Sequence, residues 1–202
     1  MTSGPEPKQC PTPISEEDVL EAMKSIRGFL DITPGDFREI YQVAYRQAIE
    51  RLNQSIKAKH IMMRTVVSVP VDTPLEKVAE MMATHRISGV PVIGANQQIL
   101  GVISEKDFLR EITATQTPSL MHFIERCLKN ISCSVESLHS RTARDIMTAP
   151  AITLDGEASL AQIAGLLRVH SINRVPIIDD RQRVIGIVAR SDIVHAYRMI
   201  QP

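Results

Sequence analysis

The stretch Val90-Pro-Val-Ile-Gly-Ala-Asn-Gln-Gln-Ile-Leu-Gly-Val-Ile-Ser-Glu-Lys-Asp107 returns later in the chain as Val175-Pro-Ile-Ile-Asp-Asp-Arg-Gln-Arg-Val-Ile-Gly-Ile-Val-Ala-Arg-Ser-Asp192. Each copy opens on an apolar run, crosses a polar turn, resumes through Gly101 or Gly186 and ends on an aspartate. Extended outward, a shift of 85 positions (143 − 58) lays Ala58 to Arg110 on Ala143 to His195 without a gap. Ile61-Met62 meets Ile146-Met147, Leu75 and Ala79 meet Leu160 and Ala164, and His85 meets His170. An internal repeat of this kind decides the architecture before any single element is assigned.

Within each copy the hydrophobic period changes in a readable order. Leu75, Val78, Ala79 and Met82 recur as an amphipathic helix does, and Leu160, Ile163, Ala164 and Leu167 repeat the stripe. Thr73 is the expected N-cap of the first of these helices, with Pro74 at its first position and Glu76 completing a capping box. Two short apolar runs follow, Val90 to Ile93 and Ile99 to Ile103, then Val175 to Ile178 and Val184 to Val188 in the second copy. Separated by polar turns, they read as strand, turn, strand. A last helix covers Glu105 to Glu111 and Arg190 to Arg198, so each unit is β-α-β-β-α. A unit of about fifty residues buries too little apolar surface to stand alone. The expected fold is therefore α/β (α+β), two units packed face to face about a pseudo-twofold axis.

The remaining chain divides around this pair. Residues 1–14 carry four prolines and are expected to be disordered. Residues 15–56 read as a helical hairpin, one helix capped by Ser15-Glu-Glu-Asp18 and another opening at Thr33-Pro34-Gly35-Asp36. The first repeat spans 57–112, the second 141–198, and 113–140 forms a linker with a helix at 118–131. The 23 basic and 23 acidic residues cancel, and the hairpin holds more acidic than basic residues, which disfavours nucleic acid as a partner. No apolar run is long enough for a membrane span and MTSGPEPKQC lacks a signal core, so a cytoplasmic protein is expected. Cys10, Cys127 and Cys133 read as free thiols.

These residues resemble the CBS-domain family, in its tandem-pair form. The resemblance rests on the two Ile-Met elements, the V-P-[VI]-I strands, and the G-h-x-[ST]-x-x-D entry to the last helix. Gly101 to Asp107 fits that entry fully, whereas the second copy has Ala189 where the family has Thr or Ser. The resemblance implies a regulatory module that binds an adenosine-containing ligand.

A nucleotide site needs a carboxylate for the ribose diol, backbone N–H groups for phosphate, and apolar walls for the base. At a strand-to-helix junction, Gly101 or Gly186 permits close approach and Asp107 or Asp192 supplies the carboxylate. Ser104-x-x-Asp107 is equally a capping pattern, but Asp192 persists where the capping serine has become Ala189. The resemblance further implies composite sites: Ser104 and Asp107 with Asn173 and Arg174, and Ala189 and Asp192 with Ser88 and Gly89. Arg174 reads either as a bidentate phosphate grip or as a surface ion pair. Arg64 and Thr65 read as lining for the second site or as an ordinary loop. With Arg174 facing it, the Asp107 site is expected to be the stronger phosphate binder.

His85 and His170 read as helix-end residues that complement the dipole, and Met81-Met82 as core filler. No nucleophile elbow, Walker loop or zinc-protease motif occurs, so no catalysis and no catalytic cofactor are expected. The leading expectation is a non-catalytic sensor for AMP, ADP, ATP or another adenosyl compound, with magnesium as an accompanying ion. It would be a homodimer formed through the helices after the strands, signalling to a target protein. The alternative is a DNA-binding or partner-docking regulator that uses the hairpin, with the pair structural only.

Overall fold

A computed structural model describes residues 14–26, 28, 31–113, 120–129 and 138–198. The disorder expected for 1–14 thus falls, apart from Ile14, outside the described residues. The chain forms two compact units, residues 1–56 and 57–202.

In the first unit, α1 (Glu16–Ser25) and α2 (Pro34–Ser55) both start at capping boxes. Ser15 Oγ accepts from Asp18 N at 3.0 Å while Asp18 Oδ2 accepts from Ser15 N at 2.8 Å, and Thr33 and Asp36 repeat the exchange. These hydrogen bonds, the side-chain ones foremost, hold both carboxyls below the usual carboxylate range. Val19 is the buried anchor of α1, while Leu20, one helical step further round, is exposed. Nothing on α2 is fully buried, and Ile40 and Val43 are 58% and 44% exposed.

The second unit holds the repeats. The first comprises α3 (Ala58–Ile61), β1 (Val69–Pro70), α4 (Leu75–His85), β2 (Gly89–Ile93), β3 (Ile99–Ser104) and α5 (Glu105–Thr113). Next come α6 (Leu120–Leu128) and the second set: α7 (Ala143–Ile146), β4 (Leu154–Asp155), α8 (Leu160–Val169), β5 (Arg174–Ile178), β6 (Val184–Ala189) and α9 (Arg190–Arg198). The expected β-α-β-β-α order holds, with a single-turn helix added before each first strand. Each sheet has three strands, the first parallel to the second and the second antiparallel to the third. Even the left-handed residues recur at the same shift, Arg86 with Ser171 and Gln97 with Gln182.

The expected Thr73 cap is corrected by the structure. Pro74 is the N-cap of α4 and no side chain caps it. The opposite repeat takes over: the Leu75 N–H donates to the Arg141 carbonyl at 3.1 Å, and the Thr73 carbonyl accepts from the Ala143 N–H at 2.8 Å. Orphan groups at a helix start need partners of some kind, and here tertiary structure provides them.

The repeats are interleaved as well as stacked. Met63 exchanges backbone hydrogen bonds of 2.9 and 3.0 Å with Ile187 on β6, and Thr148 exchanges bonds of 2.9 and 3.1 Å with Val102 on β3. The core around Leu75, Val78, Val90 and Ile103 takes Ala143 and Ile146 from the second repeat. Separating the repeats would expose these side chains, at about 1.5–3 kcal/mol for each large one, so the first repeat does not close its core alone.

Gly101 and the Ile-Met element explain one another. A Cβ at Gly101 would lie 2.8 Å from both Met147 Sδ and the Thr148 carbonyl oxygen, and one at Gly186 would overlap Met62. The absent side chains are what admit the opposite repeat's methionine. Gly101→Ala should therefore cost about 1–3 kcal/mol by overpacking, read as a lower urea midpoint with unchanged slope. An unchanged midpoint would show that the carbonyl yields freely.

The free-thiol expectation is also corrected: Cys127, on α6, is disulfide-bonded. Its partner lies outside the described residues. Among the described residues no helix is long and apolar enough to cross a membrane.

Candidate functional site

Both strand-to-helix junctions, β3 into α5 and β6 into α9, open onto cavities between the repeats. The smaller, of about 190 Å³, is lined by Ser104, Asp107, Thr148, Ile152, Asn173 and Arg174 among others. The larger, of about 830 Å³, is lined by Asp192, Ala189, Ser88, Arg86, Arg174 and Met63, and continues between α4 and α5 past Met82 and Phe108. Ser104 and Asp107 thus stand with Asn173 and Arg174, and Ala189 and Asp192 with Ser88. Gly101 and Gly186 line neither cavity, being occupied with the methionine contacts. Arg64 and Thr65 are exposed and also line neither; the Arg64 guanidinium donates to the Lys59 carbonyl at 3.4 Å.

The two aspartates differ sharply. Asp107 is 4% exposed and its carboxylate takes four donors. Oδ2 accepts from Ser104 N and Ser104 Oγ, each at 2.7 Å, and Oδ1 accepts from Thr148 Oγ1 at 3.0 Å and from Arg110. Asp192 is half-buried; its Oδ2 accepts from Ala189 N at 2.7 Å, and its Oδ1 has only a 3.5 Å contact with the Ser191 hydroxyl. The cause is legible in the repeat. The three side chains that satisfy Asp107 are Ser104, Thr148 and Arg110, and the 85-residue shift replaces them by Ala189, Met63 and His195. Divergence at those places leaves Asp192 with acceptor capacity facing the larger cavity.

Helix N–H groups are partly committed. The Glu105 N–H donates to the Ser88 carbonyl at 3.2 Å, and the Arg190 N–H to the Asn173 carbonyl at 3.0 Å. These bonds fix each junction against the strand that carries the composite residues.

Arg174 sits between the two cavities and lines both. Its Nη1 donates to the Gly89 carbonyl at 2.8 Å and its Nη2 to Ser88 Oγ. The surface ion-pair reading of this residue does not hold, since its direct hydrogen bonds go to neutral acceptors, and it lines both cavities, not the Asp107 side alone. Burial pushes the guanidinium below the usual arginine value, while the nearby Glu105 and Asp192 carboxylates pull it back up. A half-buried cation whose direct hydrogen bonds go to neutral acceptors is an invitation to an anion.

Glu105, Arg86, Thr148 and Arg110 are site residues that the sequence reading passed over. Arg110 had a signal, its i,i+3 spacing from Asp107. Thr148 had one as the residue after Ile-Met; Glu105 and Arg86 had none, since their placement depends on how the repeats meet.

The CBS-domain family model matches residues 58–114 and 143–198. The chain belongs to the CBS-domain family and carries a tandem pair of its domains. It is similar to the CBS domain of a CBS-domain-containing membrane protein from Sphaerobacter thermophilus, with a TM-score of 0.57, 30% identity, and coverage of 78% of this chain and 97% of that one. It is similar in fold to CBSX2 in complex with AMP, with a TM-score of 0.56, 23% identity, and coverage of 73% and 100%. The same holds for the CBS pair of MJ0100 in complex with 5′-methylthioadenosine and S-adenosyl-L-methionine, with a TM-score of 0.53, 20% identity, and coverage of 72% and 98%.

Proposed function

We propose that the chain is a non-catalytic sensor that binds an adenosyl ligand between its two CBS repeats, chiefly in the Asp192 cavity, and signals occupancy to a partner. The observation that carries this reading is the pairing, across one cavity of about 830 Å³, of an underused carboxylate with a half-buried guanidinium. That volume lies within the roughly 300–1,000 Å³ of ordinary ligand pockets, and the smaller cavity, at about 190 Å³, would enclose only part of a nucleotide and so hold it more weakly. Asp192 Oδ1 suits a ribose diol, Arg174 and the rim cation Arg86 suit a phosphate or carboxylate, and Met63, Ile87 and Ile187 suit a purine face. The adenosyl compounds bound by CBSX2 and MJ0100 support the same ligand class. Magnesium, as an accompanying ion, would ride on the ligand's phosphates: among the described residues no three His, Cys, Asp or Glu side chains converge.

Differential scanning fluorimetry with adenosine, AMP, ADP, ATP, 5′-methylthioadenosine and S-adenosylmethionine tests the reading. A ligand at a hundred times its Kd stabilises the native state by about 2.7 kcal/mol. For a chain of this size that raises Tm by about 5–11 °C. No shift with any of the six would overturn the sensor reading.

The second element of the proposal is self-association. Val194 on α9 is 52% exposed, and Phe108 and Leu109 of α5 line the apolar end of the larger cavity. Light scattering should give twice the chain mass of 22.5 kDa at micromolar concentration. Removal of residues 1–56 should weaken the dimer if the exposed Ile40 and Val43 of α2 extend its interface, and a monomeric full chain would remove the idea.

A further inference from the structure

Three residues, Ser88, Glu105 and Arg174, line both cavities, so the partition between them contains one cation and one anion. Building on the adenosyl-ligand reading, we infer that Arg174 is a single phosphate-binding cation shared by two sites, so that a phosphorylated ligand in one cavity weakens a phosphorylated ligand in the other.

The geometry supplies the reason. The guanidinium is planar, and its Nη1 and Nη2 are held by the Gly89 carbonyl at 2.8 Å and by Ser88 Oγ. A bidentate grip on a phosphate needs one edge of that fork turned to one cavity. The same edge cannot face the opposite cavity at the same time. Each cavity also has a cation of its own, Arg86 for the larger and Lys106 for the smaller, but both are exposed at the rim and screened by water. Arg174 alone among the lining cations is half-buried, where a charge-assisted hydrogen bond counts most. Glu105 adds the opposing term. It lines both cavities and its charge acts on Arg174, so a second phosphate meets that anion, exposed and partly screened by water, after the neutralising cation has been engaged by the first. An uncharged nucleoside makes no demand on Arg174 and should bind the two cavities without this penalty.

The coupling predicted is negative and phosphate-specific, and it is reciprocal, as binding free energies require. One charge-assisted contact corresponds to about tenfold or more in affinity.

Isothermal titration of the full chain with AMP and with adenosine, in the native sequence and in Asp192→Asn, separates coupling from mere inequality of the sites. Asparagine keeps an oxygen for the Ala189 N–H, so the junction stays capped while the larger site is impaired. In the native chain AMP should bind in one tight and one weak step. In Asp192→Asn the remaining site, with Arg174 released to it, should bind AMP about tenfold more tightly than that weak step. Adenosine's weaker step should be the same in both chains, and adding Arg174→Gln should abolish the AMP gain. An AMP affinity in Asp192→Asn equal to the native weak step would overturn the shared cation. So would an equal gain with adenosine, or a single adenosine site per chain that vanishes in Asp192→Asn; all three leave the sensor reading standing. Absence of binding by either ligand in the native chain would overturn that reading and the inference with it.

Discussion

Asp107→Ala is expected to unfold far more easily than the native chain, whether or not a ligand is present. The substitution removes the acceptor for Ser104 N and Ser104 Oγ at the start of α5, for Thr148 Oγ1 at 3.0 Å across the repeats, and for Arg110. Loss of a helix cap costs about 1 kcal/mol. A charged hydrogen bond in a buried position adds about 1.5–3 kcal/mol. Arg110 is the partner that recovers most, because its side chain is 39% exposed and can return to water. A total near 3 kcal/mol should lower Tm by about 6–12 °C. The matched control is Asp192→Ala, which loses one cap hydrogen bond, from Ala189 N, and a long contact to Ser191. Its cost should be about 1 kcal/mol. Equal melting of the two variants would mean that the Asp107 network is not a structural clamp.

The ligand response should be the mirror image. Asp192→Asn should weaken the tightest adenosine-nucleotide step by about ten- to a hundredfold, the worth of one charge-assisted hydrogen bond to the ribose. Adenosine should lose as much as AMP, because the diol is common to both. A variant at Arg174 should instead discriminate between them, since only AMP carries the phosphate. Titration calorimetry on folded protein reads both effects directly. An Asp192→Asn chain that binds at native affinity would show that the carboxylate is a cap and nothing more, and would move the site elsewhere in the pair. The two experiments together ask whether duplication left one aspartate for the fold and the other for the ligand.

The melting comparison also bears on how the motif should be read. Gly-h-x-Ser-x-x-Asp at 101–107 satisfies the family pattern in full, and its second copy departs from it at Ala189. A fuller match suggests the better site. The structure gives the fuller match another meaning, because Ser104 is one of the donors that engages the Asp107 carboxylate. Ala189 withdraws a donor and leaves Asp192 less committed.

What the sequence determined by itself is the architecture: two copies offset by 85 positions, with element order, strand pairs and helix faces legible from period and turn chemistry. Those features depend on neighbours a few residues apart, so local spacing encodes them. The capping boxes at Ser15 and Thr33 belong to the same class. Only the tertiary structure decided what each motif residue touches. Gly101 and Gly186 admit Met147 and Met62 of the opposite repeat, α4 starts on the Arg141 carbonyl of the opposite repeat and not on a Thr73 side-chain cap, and Arg174 reaches Ser88 and Gly89, not Asp107. All of these are contacts between residues roughly 45 to 125 positions apart, made by the interleaving of two repeats. Periodicity within one repeat carries no record of which side chains the other will bring to it, and the difference between the two cavities was set there.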